Sequence, residues 1–317
     1  MGFENLLGNP RLKENLRASV SRGKLSHSYL ISGPTGAGKR TLARLLAAAA
    51  LCKEDNKPCL TCSACRKVLA DTHPDYITVD DTEKKTVSVD LIRQARADMF
   101  VRPNEGDKKI YCIPRAQDMR VEAQNALLKV MEEPPEYGVF VLLTDNPEKM
   151  LPTIRSRCVA LRLEGLSPEI MEKALRQAFP NAEDAEIQGA IHRSGGYLGQ
   201  AKALLQEGEH TDPKTEGFAD SFARKDHLGL LQTLVPMEKM HREQLIPLLQ
   251  QWKELLLQAL TYRSGVQTPS AFAQNIGQSR SAKEILTAIR HLDKAQEYAQ
   301  GNVSVGAVCG YLVWALR

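Results

Sequence analysis

The sequence is poor in aromatic residues and has no long apolar run. Phenylalanine, tryptophan and tyrosine make up 5% of it, so the stripe of aromatic and basic side chains typical of an autonomous nucleic-acid-binding module is missing. No run of about 20 apolar residues occurs, which argues against a membrane-spanning helix. The N-terminal segment MGFENLLGNP lacks the apolar core of a signal peptide. We therefore expect a cytoplasmic protein.

Composition places the chain among ordinary globular proteins. Apolar residues make up 43% and charged residues 25% of the sequence, both close to the average for such proteins. The formal net charge of +4 permits contact with nucleic acid but does not require it. A chain of 317 residues is long enough for two or three domains, each with its own core.

The clearest motif is a glycine-rich turn. An apolar segment ending at Ser32 is followed by GPTGAGK and by a helical pattern from Lys39, in the strand, loop and helix order of a P-loop. Glycine lets the backbone approach a phosphate, the free N–H groups of a helix start favour an anion, and the lysine adds positive charge. The predicted phosphate-binding residues are Gly33, Gly36, Gly38, Lys39 and Thr41.

Two features that ATP hydrolysis requires are absent. A working P-loop has Ser or Thr directly after its lysine to hold Mg²⁺, but this chain has Arg40, and Thr41 comes one residue late. The second strand, predicted over 110–113, should be followed by acidic residues, but Pro114 and Arg115 follow it. The sequence therefore predicts a degenerate phosphate loop. It is either empty, with Arg40 filling the pocket, or it holds ATP or ADP.

Four of the seven cysteines are clustered in the sequence. Their spacing, C-x6-C-x2-C-x2-C, allows four thiolates to surround one Zn²⁺ tetrahedrally, and clustering in a cytoplasmic chain favours a metal over disulfides. A set of buried or free cysteines is the alternative. Because the protein supplies all four ligands, the metal would be structural. The predicted zinc knuckle spans residues 52–65, with the ligands Cys52, Cys59, Cys62 and Cys65.

The order of predicted elements divides the chain into three domains. Up to about Leu163, short apolar segments alternate with helical patterns, as in a parallel sheet covered by helices on both faces. From Ser167 the pattern is wholly helical, and the polar segment 207–217, which contains Gly and Pro, is predicted to be a linker. We predict an α/β P-loop domain over residues 1–164, a small helical lid over 165–208 and an all-α domain over 209–317.

One stretch resembles a known family. The run AQNALLKVMEEPPEYGVFVLLTDNPEKMLPTIRSRC, residues 123–158, is similar to the AAA+ module of bacterial clamp loaders. With the four-cysteine insert, it resembles two of their subunit types, the ATP-hydrolysing DnaX subunit (tau and gamma) and the delta prime subunits. The resemblance is strong over residues 1–210. The last third resembles the family's collar domain, which implies oligomerisation, only as a helical domain of suitable length.

The departures from the family pattern indicate a member that does not hydrolyse ATP. DnaX keeps a hydroxyl after the P-loop lysine, acids after the second strand and a nucleotide-sensing arginine in the lid, where this chain has Gln200. These three differences resemble the delta prime family, and no intrinsic ATPase activity is expected. The alternative is a self-sufficient DnaX-like ATPase with an unusual Mg²⁺ arrangement that uses Thr41 or Asp118.

The resemblance also implies an arginine finger. Ser156, Arg157 and Cys158 form the SRC motif, which in the family projects its arginine into the nucleotide site of the adjacent subunit. Arg157, with Ser156, is therefore the predicted catalytic contribution in trans. Thr144 and Asn146 lie where an AAA+ sensor residue is expected, although they could equally cap the turn that follows.

The implied assembly is the clamp loader of the bacterial replisome. The expected partners are DnaX and the delta subunit and, through the complex, the sliding clamp and primed DNA, with no membrane partner. We expect a hetero-oligomer within the DNA polymerase III holoenzyme, in the cytoplasm at the nucleoid. The expected cofactor is one structural Zn²⁺.

Overall fold

The chain folds into two compact units. The computed structural model describes residues 2–81, 86–206, 212–265, 270–301 and 303–316, apart from the side chains of residues 185 and 243. One unit comprises Met1–Ala182 with Ala190–Leu205, and the other comprises Glu183–Gly189 with Gln206–Arg317. The division into three domains, with a separate lid over 165–208, stays a prediction, and residues 207 and 208 lie outside the described residues.

The first unit contains a five-stranded parallel sheet. Its strands are β1 (Ser28–Ser32), β2 (Tyr76–Thr78), β3 (Lys109–Ile113), β4 (Gly138–Thr144) and β5 (Val159–Arg162). Their spatial order is β2-β3-β4-β1-β5, and every pairing is parallel. Because parallel strands end at the same edge, the segments that follow β1, β3 and β4 emerge together. Ser32 lies opposite Thr144 at this edge.

Helices cover both faces of the sheet, as the sequence predicts. Neighbouring residues of a strand point to opposite faces. Tyr29 and Ile31 pack in one buried cluster with the first two helices, whereas Leu30 packs in a second cluster with the fourth and fifth. The helices up to residue 206 are α1 (Pro10–Ser21), α2 (Lys39–Leu51), α3 (Ser63–Leu69), α4 (Val89–Met99), α5 (Val121–Glu132), α6 (Pro152–Arg155), α7 (Pro168–Ala178), α8 (Asp184–Arg193) and α9 (Leu198–Gln206).

After residue 211 every regular element that the structure describes is helical. A single buried cluster forms the core of this part. Trp252 is fully buried there, its ring stacks on Phe218 with centroids 4.3 Å apart, and its Nε1 donates to Thr215 Oγ1 at 3.1 Å. No helix among the described residues is both long and apolar enough to cross a membrane. The α-helices are α10 (Pro213–Arg224), α11 (His227–Leu234), α12 (Arg242–Arg263), α13 (Ala271–Ser279), α14 (Ala282–Gln300) and α15 (Val305–Ala315).

The predicted linker over 207–217 is wrong in its second half. Residues 207–211 lie outside the described residues, but α10 begins at Pro213. Asp212 caps this helix, because its Oδ1 accepts from the Lys214 N–H at 2.9 Å. An acidic N-cap followed by proline at the first helical position favours a helix start, so Pro213 begins a helix instead of belonging to a linker.

Candidate functional site

The glycine-rich turn between β1 and α2 has the backbone shape of an anion cradle. Gly36 and Gly38 have φ angles of +81° and +94°, which glycine adopts without strain. Gly38 is the N-cap of α2 and no side chain caps the helix. The first N–H groups of α2 are therefore free of a side-chain cap at the place where an anion binds.

A cavity of about 710 Å³ adjoins this turn. Four of the five predicted phosphate-binding residues line it, namely Gly36, Gly38, Lys39 and Thr41. Arg40 is exposed and also lines the cavity. Whether Arg40 fills the pocket or a nucleotide binds there stays a prediction.

Within this chain, Lys39 binds its own loop and the end of β4. Its ammonium donates to the carbonyl oxygens of Gly33 at 2.6 Å and Pro34 at 2.9 Å, and it forms an ion pair with Asp145 Oδ1. Gly33 is not among the residues that line the cavity, but its carbonyl oxygen binds the Lys39 ammonium. The other oxygen of Asp145 accepts from Thr35 Oγ1 at 3.1 Å.

The end of β3 carries a cation where an ATPase needs acids. Arg115 lines the cavity, and its Nε and Nη2 donate to Asp80 Oδ1 at 2.9 and 2.7 Å. The hydrogen bond to Asp80 raises the pKa of Arg115 above its already high ordinary value. Asp118 also lines the cavity, and its Oδ2 lies 3.9 Å from Arg115 Nη1. A guanidinium so placed works against Mg²⁺ binding at this edge of the sheet.

The residues at the end of β4 and directly after it divide between those that cap the turn and one that lines the cavity. Thr144 is fully buried and its Oγ1 accepts from the Asn146 N–H at 3.1 Å, while Asn146 Oδ1 accepts from the Glu148 N–H at 3.0 Å. These are contacts of turn caps, and the sensor role of either residue stays a prediction. Asp145, between them, is the residue that lines the cavity. Sequence reasoning missed it, although it lies in the same TDN segment.

The start of α9 contacts the glycine-rich turn directly. The Gly199 N–H donates to the Gly36 carbonyl at 2.9 Å, and Gln200 Nε2 donates to the Thr35 carbonyl at 2.8 Å. Gln200 is thus at the loop, where the family's nucleotide-sensing arginine was expected, but it binds backbone. Lys202, one half-turn further along α9, lines the cavity. Sequence reasoning did not single out this lysine.

Arg157 is held by its own chain and is not among the described residues that line the cavity. Its Nη1 donates to the Thr153 carbonyl at 3.0 Å, and its Nη2 pairs with Glu132 Oε1 at 2.7 Å. The side chain is 36% exposed. Ser156 Oγ donates to the same Thr153 carbonyl at 3.1 Å. The guanidinium is therefore reachable from solvent and already oriented.

A buried glutamine fixes the backbone just before this arginine. Gln124, on α5, donates from Nε2 to the carbonyls of Met119 at 3.1 Å and Lys149 at 3.2 Å, and its Oε1 accepts from the Leu151 N–H at 2.8 Å. The side chain is 3% exposed. It thereby ties α5 to the segment that leads into α6. Sequence reasoning quoted this residue within the AQNALLK run without giving it a role.

The four clustered cysteines converge as predicted. Their sulfur atoms all lie within 4.8 Å of one another, with Cys52 and Cys62 4.0 Å apart and Cys59 and Cys65 3.9 Å apart. A tetrahedral Zn²⁺ with Zn–S bonds of about 2.3 Å requires sulfurs about 3.8 Å apart. The four cysteines could therefore hold one metal ion.

Hydrogen bonds and burial shift the pKa values of these thiols in opposite directions. The Cys62 N–H points at Cys59 Sγ at 3.2 Å and the Cys65 N–H at Cys62 Sγ at 3.5 Å. Hydrogen bonds, first from the Thr61 side chain, lower the pKa of Cys59 to about 6, whereas burial raises the pKa of Cys52 and of Cys65. Metal ligands must be thiolates, so a bound cation would have to stabilise the two buried sulfurs.

The strand order, the phosphate loop after β1 and the helix start that contacts this loop define a P-loop protein of the AAA+ class. A family model described as DNA polymerase III, delta subunit, matches residues 8–167, which is half of the chain. The chain therefore belongs to this family, and the resemblance to clamp-loader AAA+ proteins is confirmed.

Known relatives agree with this assignment. The chain is 35% identical over 192 residues to DNA polymerase III subunit delta' of Pseudomonas aeruginosa, which covers 59% of this chain and 58% of the relative. It is 30% identical over 211 residues to DNA polymerase III subunit tau of Bacillus subtilis, a match that covers 65% of this chain and 37% of that relative. These matches thus span less than two thirds of either relative.

One solved structure shares the fold over nearly the whole chain. It is a DNA polymerase III gamma subunit-related protein of Thermotoga maritima, with a TM-score of 0.50 and 18% identity, covering 96% of this chain and 99% of that one. At this identity the similarity concerns the fold alone. The similarity in fold includes the helical part after residue 167.

Proposed function

We propose that this chain is a clamp-loader subunit of the delta prime type. It assembles with DnaX and the delta subunit, mainly through the predicted all-α domain over 209–317, and does not itself hydrolyse ATP. The complex loads the sliding clamp onto primed DNA during replication. The observation that carries the proposal is Arg115, a cation paired with Asp80 where a hydrolysing subunit has its Mg²⁺-binding acids.

The chain's contribution to turnover is the guanidinium of Arg157. A cation against the γ-phosphate neutralises charge that spreads over the phosphate oxygens in the transition state, an effect of about 10³ to 10⁵ in rate for arginine fingers. The pairing with Glu132 and the Thr153 carbonyl supports this role, because an arginine that is already oriented loses little conformational freedom when it binds a phosphate. The interface is head to tail, with Arg157 of this chain in the site of a neighbouring DnaX subunit.

The experiment reconstitutes the complex from DnaX, delta and this chain and compares wild type with Arg157→Ala. Assembly on a sizing column should be unchanged, and DNA-stimulated ATP turnover should fall, because the site that Arg157 serves slows by about 10³ or more. Arg155→Ala is the matched control, since Arg155 lies in the same segment, its side chain is 34% exposed, and it pairs with Glu148 Oε1 at 2.7 Å. Wild-type turnover in the Arg157 variant would contradict the arginine-finger assignment.

The DnaX-like alternative makes the opposite prediction for the purified chain alone. If this chain were a self-sufficient ATPase using Thr41 or Asp118, it would release phosphate, and Lys39→Ala would abolish the release. We expect no Lys39-dependent turnover above background in the absence of partners. Such turnover would favour the alternative and remove the non-hydrolysing assignment.

The cysteine cluster is proposed to hold one structural Zn²⁺. The sulfur spacing near that of a tetrahedral site supports zinc, which accepts four thiolate ligands without an open position. In this role the metal fixes residues 52–65 against the end of α2 and the start of α3. It takes no part in phosphate chemistry.

A further inference from the structure

The ammonium of Lys39 has no free donor left for a phosphate. A lysine side chain offers three N–H donors, and here three acceptors surround it: the carbonyls of Gly33 and Pro34 and the carboxylate of Asp145. The Lys39 side chain is only 11% exposed. An anion that enters the loop must therefore displace one of these three partners.

Asp145 is the partner that an anion would displace. The two carbonyls belong to the turn itself and cannot leave without unfolding it, whereas the carboxylate is a side chain from the end of β4 and is 44% exposed. Both of its oxygens are engaged, one by Lys39 and one by Thr35 Oγ1 at 3.1 Å. Its backbone N–H also points at Gln117 Oε1 at 3.4 Å.

We propose that Asp145 decides whether this phosphate loop accepts a nucleoside polyphosphate. Its carboxylate pairs with Lys39 as an internal anion and excludes the phosphates while the chain is free. The inference deepens the proposed function, which requires only that this subunit does not turn over ATP, by naming the residue that keeps nucleotide from its loop.

Two features of the site strengthen this exclusion. A phosphate bound at Lys39 would lie beside the carboxylate of Asp145, and like charges at such short range repel strongly where water is partly excluded. The start of α9 also holds the turn in place, because Gly199 and Gln200 donate to the carbonyls of Gly36 and Thr35. The loop therefore cannot easily move away from Asp145 to make room.

The test is nucleotide binding by the isolated full-length chain, with the fluorescent analogue N-methylanthraniloyl-ATP as the probe. Asp145→Asn keeps the size of the side chain and removes its charge. We expect it to bind the probe at least about tenfold more tightly than wild type, which corresponds to about 1.4 kcal/mol. Competition by inorganic triphosphate should show the same gain, because the effect concerns the phosphates and not the base.

Three further variants make the result specific. Glu164→Gln removes one negative charge from the lining of the same cavity. Because Glu164 is not among the partners of Lys39 in the described part of the chain, the affinity of this variant for the probe should stay within about threefold of wild type. Lys39→Ala added to Asp145→Asn should abolish the gain. Thr35→Val removes the hydrogen bond from Thr35 Oγ1 to Asp145 and should give a smaller gain in affinity for the probe. If Asp145→Asn does not fold, the Thr35→Val variant supplies the test.

Equal affinity of the Asp145→Asn variant and wild type for the probe would overturn the inference. An equal gain in affinity from Glu164→Gln would also overturn it, because the gain would then come from the net charge of the cavity and not from Asp145. These outcomes are separate from those of the proposed function. Binding is measured on the chain alone, whereas the Arg157→Ala experiment measures turnover in the complex. Either result can therefore fail while the other holds.

Discussion

Asp75 secures the loop before β3 and offers a sharp test of how the sheet is held together where β2 and β3 begin. The carboxylate is fully buried. One oxygen accepts from the backbone and side-chain nitrogens of Asn104 at 2.6 and 3.2 Å, and the other accepts from the N–H groups of Glu105 and Gly106, both at 2.8 Å. Asp75→Asn replaces one acceptor oxygen with an NH₂ group of nearly the same size.

The magnitude follows from these four hydrogen bonds. An amide nitrogen cannot accept, so two of the N–H donors would face another donor beside a side chain that has no exposed surface. A hydrogen bond to a charged group contributes about 1.5–3 kcal/mol, so losing two costs about 3–6 kcal/mol. That is a large part of the roughly 5–15 kcal/mol that stabilises a typical domain.

Urea unfolding followed by circular dichroism measures the loss, and hydrogen exchange of the amides of residues 104–106 locates it. Asp71→Asn is the matched control, because Asp71 is 44% exposed and pairs with Arg44 at the surface, where an ion pair contributes about 0–1 kcal/mol. A loss below about 1 kcal/mol in the Asp75 variant, or one equal to that of the Asp71 variant, would refute the reasoning.

Two further predictions concern pH and the metal. Burial acts to raise the pKa of Asp75, but the hydrogen bonds from residues 104–106 outweigh it and hold the pKa below its usual range. The stabilisation should therefore be complete above the unfolded pKa of about 3.9 and shrink as pH falls below it, so that wild type and Asp75→Asn converge in acid unfolding. Elemental analysis should find one zinc per chain, and a strong chelator should remove it and expose residues 52–65 to protease. Carefully prepared protein without zinc, or unchanged proteolysis after chelation, would contradict the zinc assignment.

Much of the fold could be predicted because its signals are local. The apolar segment ending at Ser32 and the strand predicted over 110–113 lie between helical patterns, and the structure has strands there at Ser28–Ser32 and Lys109–Ile113. The cysteine cluster could also be predicted, because the short C-x2-C spacings alone bring most of its ligands close together. Periodicity and spacing are properties of neighbouring residues, so tertiary context does not alter them.

The site residues that the sequence did not predict depend on contacts between segments that are distant along the chain. Asp145 is 106 residues from Lys39 in sequence, and nothing local distinguishes it from an ordinary turn residue beside Thr144. Lys202 reaches the cavity only because α9 begins at the glycine-rich turn. The linker prediction for residues 212–217 failed for a different reason. It rested on the presence of Gly and Pro, but a proline at the first position of a helix, as at Pro213, is compatible with the helix.

The backbone contact between Gly36 and Gly199 constrains how this site can change. A Cβ on Gly36 would lie 2.5 Å from the Gln200 nitrogen, and one on Gly199 would lie 2.6 Å from the Gly36 Cα. No side chain fits at either position unless the two segments separate. The two facing glycines therefore confine the path of the main chain, whatever side chains stand around them. A loop of this kind can keep the backbone outline of a phosphate site even where neighbouring side chains, such as Arg40 and Arg115, do not suit Mg²⁺.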